Sequence, residues 1–452
     1  MPNTPSLTLN GQQANIFAQI TETITNPDSN VNLHILKGSA GTGKTFLTQQ
    51  FVKFLREQSV NVVQIAPTGK AAKNMALGSM LPAKTIHSAI YKLEQLKHGL
   101  GLKFLPKPNQ QSAFTVYLID ESSMISDKVA TSERFQQSGP LLSDTVDFVK
   151  RGNPKNKFLF VGDYCQLPPV DGSTADAFSP ALAFDYMTEK FGLVGQEYFL
   201  SEPMRAKGDS YIMDNATYMR DCILSKNRPD SRKLKINSTG KSWQTPRFFE
   251  RLYDPQNAEK VILIANSNDD VNHWNRAIRK QFGYEQDRLQ VGDQVIVNAT
   301  WQDNGRAIYN GETGYVRAIG KTEKYAELLF ADVQLEFQGA DGKPFIVETK
   351  ALLSTLSTER GFRGLVSSQE ATHFHSEMHR HTHGRIGDSV FYNPIQLRFG
   401  YALTCHKAQG SEWDNVIIHR APLFGEYQVT DLRWRYTALT RARHELYTWE
   451  AA

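Results

Sequence analysis

The chain has 452 residues, of which 40% are hydrophobic and 22% charged, and this length and composition predict a globular protein of two to four domains. Its formal net charge of +4 is compatible with a polyanionic partner but does not require one. Cys165, Cys222 and Cys405 lack C-x-x-C spacing, which argues against a disulfide framework or cysteine zinc site and favours a reducing cytosol. The polar N-terminus and the absence of any apolar run of ~18 residues lead us to expect no signal peptide and no membrane span.

The most specific motif lies near the N-terminus, where an apolar segment (31–36) and an amphipathic one (46–55) flank a glycine-rich octapeptide. Residues 38–45 fit G-x-x-x-x-G-K-[ST] at every fixed position, in the strand, loop and helix context of a nucleotide-phosphate cradle. In such a loop the backbone N–H groups face the phosphates, the lysine reaches the β- and γ-phosphates, and the final hydroxyl holds Mg²⁺. A glycine-rich turn that fits by chance is the alternative. The predicted binding residues are Gly38, Ala40, Gly41, Thr42, Gly43, Lys44 and Thr45.

Short apolar runs alternate with helical patterns through the first part of the chain. Runs of this kind, each ending in a polar or glycine loop, predict buried parallel strands of a doubly wound α/β sheet. Residues 88–115 interrupt the pattern with prolines and lysines and predict a small excursion from the sheet. The predicted strands are 31–36, 60–66, 116–119 and 158–161.

A second set of buried runs, at 261–265, 400–403 and 416–419, predicts another α/β domain. Between them, from 289 to 392, short strands alternate with glycine turns, which is typical of a small antiparallel barrel inserted in that domain. The predicted barrel strands are 293–297, 314–319, 328–335 and 345–347.

Two predicted strands of the first sheet end in polar groups that suit phosphoryl transfer. Asp120 and Glu121 follow one strand and can divide two tasks, with Asp120 holding Mg²⁺ and Glu121 orienting or deprotonating the attacking water. Gln166 follows the next strand and can contact the γ-phosphate, although this glutamine taken alone is a weak signal. The alternative is a solvated acidic pair at a strand end.

These residues belong to an ordered series of motifs along nearly the whole chain: APTGKAA from residue 66, TIHS from 85, DESSM from 120, GDYCQ from 162, LSEPMR from 200, TCHKAQG from 404 and YTALTR from 436. The series resembles the superfamily 1 DNA helicases, and within them the RecD-like group that includes the phage Dda-like helicases. The resemblance implies an α/β fold of two RecA-like P-loop domains with a small pin insert and an SH3-like β-barrel insert. The implied boundaries are 1–183 for the first domain with its pin insert at 88–115, 184–288 and 393–452 for the second, and 289–392 for the barrel.

The resemblance also assigns ATP-site residues beyond the phosphate loop. Gln13 corresponds to the glutamine that reads adenine, although Gln12 is its immediate neighbour. Arg205 and Arg441 correspond to two arginines that reach the γ-phosphate from the second domain, where such a cation accelerates hydrolysis. Without its motif, Arg441 would be read as a surface arginine of a basic helix. Gln409 and Gly410 are implied to link the DNA site to the γ-phosphate.

For DNA, the resemblance implies that hydroxyl and imidazole groups hold the strand through its phosphates, which carries no base readout. These residues are Thr68 and His87 on the first domain and Thr404 and His406 on the second, although each taken singly is more often structural. Within the pin insert, Phe104 is our candidate for the aromatic tip that separates strands, with Tyr91 as second choice. The rival account is that both rings pack the small core of the insert.

A cluster of five histidines between 373 and 383 departs from the family pattern. Its crowded spacing, with no cysteine or carboxylate partner at familiar distances, favours a solvated loop of the barrel insert over a Zn²⁺ or Ni²⁺ site.

The implied activity is that of an ATP-dependent DNA helicase that uses Mg²⁺, moves 5′ to 3′ on single-stranded DNA and unwinds duplex DNA as its two domains close and reopen. We expect single-stranded and forked DNA as partners, with a single-strand binding protein as a further candidate, no membrane partner, and activity as a monomer. The expected location is the cytoplasm of a bacterial or phage-infected host cell. The main rival hypothesis is a translocase that hydrolyses ATP and displaces bound proteins without unwinding. Two further hypotheses are a P-loop kinase of a small molecule and a non-enzymatic DNA-binding subunit.

Overall fold

The structure is a computed structural model. It describes residues 9–449 except 96–101, 130, 133, 134, 138, 170–178, 203, 205–210, 287, 304, 305, 340–342, 357–367, 386, 388 and 420–428. Among these residues, no helix combines the length and the apolar composition needed to cross a bilayer.

Strands are distributed along the whole described chain. In chain order they are β1 Leu33–Gly38, β2 Asn61–Ala66, β3 Ala83–Thr85, β4 Tyr91–Gln95, β5 Leu102–Pro106, β6 Thr115–Ile119, β7 Thr131–Ser132, β8 Phe135–Gln137, β9 Lys157–Gly162, β10 Gly195–Leu200, β11 Asn237–Ser238, β12 Val261–Ala265, β13 Gln294–Val297, β14 Trp301–Asp303, β15 Arg306–Ile308, β16 Thr313–Tyr325, β17 Leu328–Gln338, β18 Pro344–Leu352, β19 Ile395–Phe399, β20 Ala402–Thr404, β21 Trp413–Ile418 and β22 Ala442–Thr448.

Helices alternate with these strands. The α-helices are α1 Gly11–Ile24, α2 Lys44–Glu57, α3 Gly69–Ser79, α4 Ile86–Ile90, α5 Leu141–Gly152, α6 Phe184–Phe191, α7 Tyr211–Ser225, α8 Thr245–Leu252, α9 Asn268–Gln281, α10 Ser368–His381, α11 Cys405–Ala408 and α12 Val429–Leu439. Short 3₁₀ turns occur at Ser122–Met124, Pro180–Leu182, Ser231–Lys233, Ser242–Gln244 and Leu353–Thr355.

The first domain is built on a parallel sheet in the order β10-β1-β9-β6-β2-β3. Its central strands β6 and β9 are buried along their whole length because helices cover both faces of the sheet. The four strands predicted from apolar runs are confirmed as β1, β2, β6 and β9. The predicted end of this domain at residue 183 is wrong, because Gly195–Leu200 forms the edge strand β10 and pairs with β1.

The predicted pin insert at 88–115 forms part of a separate small sheet. Strands β4 and β5 from that segment pair as a hairpin, and β5 also pairs with β8 in a sheet of order β4-β5-β8-β7. Since β7 and β8 come from Thr131–Ser132 and Phe135–Gln137, a single-segment insert was an incomplete prediction. The turn of the β4–β5 hairpin, residues 96–101, lies outside the described residues.

The second domain has a parallel sheet in the order β11-β22-β21-β12-β20. The predicted strands at 261–265, 400–403 and 416–419 are confirmed as β12, β20 and β21, with boundaries shifted by up to three residues. Strand β22 has only two buried positions, Ala442 and Leu446, and its weak apolar pattern gave no strand prediction.

A closed barrel of β13, β16, β17, β18 and β19 is inserted in the second domain, as predicted. The predicted end of the insert at residue 392 is wrong, because β19 at Ile395–Phe399 completes the barrel. Strand β19 pairs with β18 in parallel, so the barrel is not wholly antiparallel.

A buried ion pair ties the barrel to the second sheet domain. Arg279 on α9 donates from Nε to Asp293 Oδ1 at 2.8 Å and from Nη2 to Oδ2 at 2.9 Å. Arg279 is 1% exposed and Asp293, which precedes β13, is fully buried. The remaining guanidinium hydrogens reach the carbonyl oxygens of Glu285 and Arg288. This bidentate geometry holds the residue that precedes β13 against α9.

We expect Arg279→Ala to lower the free energy of unfolding by about 3–5 kcal/mol, because it leaves the Asp293 carboxylate buried without its cation. The matched control is Arg288→Ala, since Arg288 pairs with Glu285 on the surface and such pairs contribute about 0–1 kcal/mol. Urea unfolding followed by fluorescence measures both. Equal effects of the two substitutions would contradict the role of the buried pair.

Candidate nucleotide and DNA site

The predicted phosphate loop connects β1 to α2, and its backbone geometry suits an anion. Gly41 and Gly43 have φ angles of +74° and +80°, a left-handed conformation that glycine adopts without strain. Gly43 precedes the first residue of α2 and supplies no side-chain cap, and the first turn of the helix carries no acidic residue. The first N–H groups of α2 therefore face the loop at the positive end of the helix.

Lys44 begins α2, and its ammonium group folds back over the loop. Nζ donates to the carbonyl oxygens of Gly38 at 2.8 Å and Ser39 at 2.9 Å, and it lies 3.8 Å from Oδ2 of Asp163. Thr45 follows on the exposed first turn of the same helix, and the Thr42 hydroxyl donates to Ser39 O at 2.9 Å. The sequence-predicted loop residues are therefore brought together around one cation.

Gln13 also reaches this loop. It is fully buried on α1, and its Nε2 donates to Thr42 O at 3.1 Å while Oε1 accepts from the N–H of Asn10. Gln12 instead contacts the end of β10, where its Oε1 accepts from the N–H of Ser201 at 3.0 Å. The geometry thus favours Gln13 over Gln12 as the residue next to the nucleotide, and adenine reading stays a prediction.

The acidic pair lies at the carboxyl end of β6. Glu121 has φ +50°, and its N–H donates to Asp120 Oδ1 at 2.8 Å. Burial and the neighbouring Asp120 raise the pKa of Glu121 to about 7, against the opposing influence of Arg441 and Lys44. Burial likewise raises the pKa of Asp120. A carboxylate with a pKa near neutrality is suited to accept a proton from water.

The loop after β9 carries Gln166 and a residue that sequence reasoning left out of the site, Asp163. Asp163 is fully buried, and its Oδ2 is 3.5 Å from Gln166 Nε2. Oε1 of Gln166 is buried and has no hydrogen-bond partner among the described residues, which is the environment expected where a polar ligand completes the site. The sequence signal that could have indicated Asp163 is its position directly after a strand, in the same motif as Gln166.

The second domain supplies the other side of this site. Arg441 is 5% exposed and lies close enough to Glu121 to lower the pKa of that carboxyl. Its Nε donates to Thr437 O at 3.0 Å and its Nη1 to Ser411 O at 3.1 Å, so it is a buried residue and not a surface arginine. Arg205, the other predicted arginine, lies outside the described residues.

Gln409 and Gly410 make contacts between the two domains. Nε2 of Gln409 donates to Leu167 O at 3.0 Å, directly after the Gln166 loop. Gly410, with φ +71°, accepts at its carbonyl from Asn74 Nδ2 at 3.4 Å. Both residues thus lie where the domains meet, and their link to the γ-phosphate stays a prediction.

Tyr436 is a second residue that the prediction omitted, although it opens the YTALTR motif. Its fully buried hydroxyl accepts from Ala40 N–H of the phosphate loop at 2.7 Å and donates to Asp163 Oδ2 at 2.8 Å. The motif position was the available signal, but a tyrosine in a helix is more often a core residue.

The four predicted phosphate-contacting residues lie at helix starts. Thr68 is the N-cap of α3, and its Oγ1 accepts from Ala71 N–H at 3.2 Å. Gly410 lies close to Thr68, since a Cβ atom added to this glycine would be 3.6 Å from Thr68 Oγ1. Thr404 is the N-cap of α11, which carries His406. Burial lowers the pKa of both His87 and His406, so both imidazoles are neutral at pH 7. The structure brings Thr68 beside the 404–410 segment, and DNA contact remains a prediction.

Phe104 packs inside the insert. Its ring lies 5.6 Å from the ring of Tyr91 and 5.3 Å from that of His87, measured between centroids, and the group adjoins the core of the first domain. These contacts support the rival account of the two rings, while the hairpin turn that would carry a tip lies outside the described residues.

If Phe104 nevertheless forms the separating pin, Phe104→Ala should abolish unwinding of a forked duplex while DNA-stimulated ATP hydrolysis persists, because unstacking and hydrolysis use different residues. Phe148→Ala is the matched control, as Phe148 is a partly buried phenylalanine that packs against the same core from α5. Gel-based unwinding and a coupled ATPase assay measure the two activities. Unwinding that survives Phe104→Ala would place the pin elsewhere.

Four of the five histidines of the cluster lie on a helix, which corrects the predicted loop, whereas the predicted exposure to solvent holds for His373, His379, His381 and His383. His373, His375, His379 and His381 belong to α10, whose Phe374 and Met378 are buried against the end of the barrel. Among the described residues, no group of three or more His, Cys, Asp or Glu is arranged to hold a metal ion.

Comparisons with known proteins bear on this site. A family model described as an AAA domain matches residues 8–180, and one described as a UvrD-like helicase C-terminal domain matches residues 399–448. The chain is 24% identical to the ATP-dependent RecD2 DNA helicase of Deinococcus radiodurans, over 92% of this chain and 46% of that protein. It is 29% identical to the ATP-dependent DNA helicase Pif1 of Campylobacter jejuni, over 90% of this chain and 86% of that protein. The chain is a superfamily 1 helicase of the RecD-like and Pif1-like group.

The fold of this helicase matches a solved relative. It aligns with the crystal structure of the Pif1 helicase from Bacteroides in complex with ADP-AlF3 and ssDNA with a TM-score of 0.52 and 18% identity, over 99% of this chain and 93% of that chain. That likeness shows two RecA-like P-loop domains, as predicted. The family gives the enzyme class, an ATP-dependent DNA helicase. The chain spans about half the length of the Deinococcus relative.

Proposed function

We propose that this helicase translocates 5′ to 3′ on single-stranded DNA and unwinds duplex DNA at a fork by coupling ATP hydrolysis to closure of its two RecA-like domains. One observation carries the coupling. In the loop after β9, Asp163 Oδ2 lies 3.8 Å from Nζ of Lys44 in the phosphate loop. The carbonyl oxygen of Leu167, in the same loop, accepts a hydrogen bond from Gln409 of the second domain. A group bound at Lys44 therefore acts on a loop that both domains hold.

The ATP site divides the chemistry among residues of both domains. Lys44 exchanges the carbonyls of Gly38 and Ser39 for phosphate oxygens, and Glu121 accepts the proton of the attacking water. Gln166 contacts the γ-phosphate through its buried amide. Arg441, together with Arg205, stabilises charge on the transferred group from the second domain.

Mg²⁺ fits the donor set at the loop, because the Thr45 hydroxyl and the Asp120 carboxylate, which would hold it, are hard oxygen ligands. When bound, Mg²⁺ neutralises charge on the phosphates. Asp120 is held ready for this role by the Glu121 N–H at 2.8 Å from Oδ1.

DNA binding is proposed across both domains. Thr68 and His87 on the first and Thr404 and His406 on the second would hold phosphates without base readout. The support is the position of Thr68 beside Gly410, and the ssDNA present in the Bacteroides Pif1 structure. We further propose a monomer in the cytoplasm of a bacterial or phage-infected cell, with a single-strand binding protein as a candidate partner.

The test compares two forked duplexes that are identical except for a 5′ or a 3′ single-stranded tail, with the Lys44→Ala variant as the inactive control. Release of the strand from the 5′-tailed substrate alone is the expected result. Release from the 3′-tailed substrate alone would overturn the polarity, and ATP hydrolysis unaffected by DNA would overturn the proposal as a whole.

The packing of Phe104 against Tyr91 and His87 favours a second candidate, a translocase that displaces proteins without unwinding. It predicts displacement of streptavidin from biotinylated single strands with no strand release from either fork.

A further inference from the structure

One face of α12 is directed at the Gln166 loop of the first domain. Arg433, Tyr436 and Thr437 have the i, i+3, i+4 spacing that places side chains on the same side of a helix. Arg433 Nη1 donates to the carbonyl oxygens of Tyr164 and, at 3.1 Å, Gln166. The Thr437 hydroxyl accepts from Leu167 N–H at 3.0 Å. The second domain therefore forms hydrogen bonds to the backbone before and after the Gln166 side chain.

The middle residue of this face reaches further. The hydroxyl of Tyr436 accepts from the N–H of Ala40 at 2.7 Å, and because that backbone group can only donate, the hydroxyl proton is directed to Asp163 Oδ2 at 2.8 Å. Burial and the adjacent Asp163 raise the pKa of Tyr436 well above its usual value, so the hydroxyl keeps its proton. One oxygen atom thus joins the phosphate loop, the end of β9 and the second domain.

This link holds only while the domains are together, since Ala40 and Asp163 belong to the first domain and Tyr436 to the second. Asp163 in turn lies 3.8 Å from Lys44 Nζ. When the domains open, the Tyr436 hydroxyl therefore moves away from its two partners. The Ala40 N–H of the phosphate loop and the Asp163 carboxylate, which faces Lys44, then lose this hydrogen bond. A hydrogen bond to a carboxylate in a buried site is of the stronger kind.

We propose that Tyr436 is a positioning residue for ATP hydrolysis, whose hydroxyl aligns the phosphate loop and Asp163 when the two domains close. The inference deepens the proposed function and rests on it. Tyr436 acts through Ala40 and Asp163 and need not touch the nucleotide.

The test replaces the hydroxyl alone, with Tyr436→Phe. A matched control exists in Tyr211, whose hydroxyl also donates to a carboxylate, Glu445 Oε2, at 2.8 Å and accepts from a backbone N–H, that of Leu446, at 2.8 Å. The hydroxyl also accepts from Asn237 Nδ2 at 3.3 Å. All three partners lie within the second domain, so Tyr211→Phe removes the same kinds of bond without breaking a hydrogen bond between the domains.

We expect Tyr436→Phe to lower kcat of DNA-stimulated hydrolysis by about 10-fold or more, the loss that fits a hydrogen bond to a charged group, with KM for ATP changed less than about two-fold. Tyr211→Phe should leave kcat close to that of the unmodified protein. Thermal unfolding of both variants, in the full chain, shows whether their stabilities differ.

An unchanged kcat for Tyr436→Phe, or a loss that Tyr211→Phe reproduces, would overturn the positioning role. A loss that appears in KM alone would overturn it as well, because it would indicate nucleotide binding and not alignment. If the unmodified chain shows no DNA-stimulated hydrolysis, the proposed function fails first, so the two failures are distinguishable.

Discussion

Replacing Lys44 by alanine is expected to lower kcat for ATP hydrolysis by at least about 10²–10³-fold, the loss typical of removing one preorganised charge-stabilising group from a catalytic site. Lys44 Nζ lies over the phosphate loop, where it donates to the carbonyl oxygens of Gly38 and Ser39. Lys44 is the only cationic residue in the described loop at 38–45. Binding of single-stranded DNA should change less than about two-fold, because the predicted DNA contacts lie on other elements. A coupled ATPase assay and fluorescence anisotropy measure the two properties.

The matched control is Lys53→Ala, an exposed lysine on the same helix, which should hydrolyse ATP at close to the normal rate. Hydrolysis retained by Lys44→Ala would contradict the assignment of residues 38–45 as the phosphate cradle. Equal loss in both variants would indicate a general effect of charge on α2.

Arg441→Ala is expected to lower kcat by about 10³–10⁵-fold, the range associated with an arginine that stabilises the transferred phosphoryl group. The structure supports this expectation by placing the buried guanidinium near Glu121 of the first domain, where it lowers the pKa of that carboxyl. Single-turnover hydrolysis at saturating ATP measures the effect on chemistry apart from binding. KM should change far less than kcat, since the charge is needed most in the transition state.

Arg441 also holds its own domain, through Thr437 O and Ser411 O, so a loss of stability has to be separated from a loss of chemistry. Arg441→Lys keeps the charge but loses the forked geometry, and we expect it to remain strongly impaired. Arg251→Ala, at an exposed arginine of α8, is the control for a change of net charge. Hydrolysis by folded Arg441→Ala at more than about one tenth of the normal rate would contradict the assignment.

The sequence predicted the regular parts of the fold well because buried parallel strands carry a signal in consecutive apolar residues. Strand β12 was predicted at its observed boundaries, and β1, β2, β6 and β9 within a few residues. Strand β10 was missed as a member of the first sheet because its polar and exposed residues alternate with buried ones, as suits an edge. Strand β22 was missed because only Ala442 and Leu446 of its 7 residues are buried.

Contacts between distant segments had no such signal. Strand β8 joins the small sheet by pairing with β5, and β7 pairs with β8. Strand β19 closes the barrel by pairing with β13 and β18. Whether such a short segment forms a strand depends on the strands that it pairs with, so its own residues do not predict it. The incomplete insert at 88–115 and the wrong end of the barrel at residue 392 arose in this way.

For the site, the motifs predicted the residues that the family resemblance assigns to the nucleotide, while two buried residues that contact the phosphate loop were missed. The motifs and the family resemblance named Lys44, Asp120, Glu121, Gln166 and Arg441, and the structure places these residues near one another at the phosphate loop. Asp163 and Tyr436 were missed because a carboxylate or a tyrosine in a motif gives no indication of its partner.

The sequence by itself determined that the chain binds a nucleoside triphosphate, because residues 38–45 form a local structure whose backbone and lysine need few distant partners. It also determined the order of the elements and, through the motif series, the family. Only the tertiary structure decided which side chains of the second domain meet the loop. That meeting depends on hydrogen bonds of 2.7–2.8 Å between Ala40, Asp163 and Tyr436, residues separated by up to 396 positions, and such bonds have no periodicity that a sequence displays.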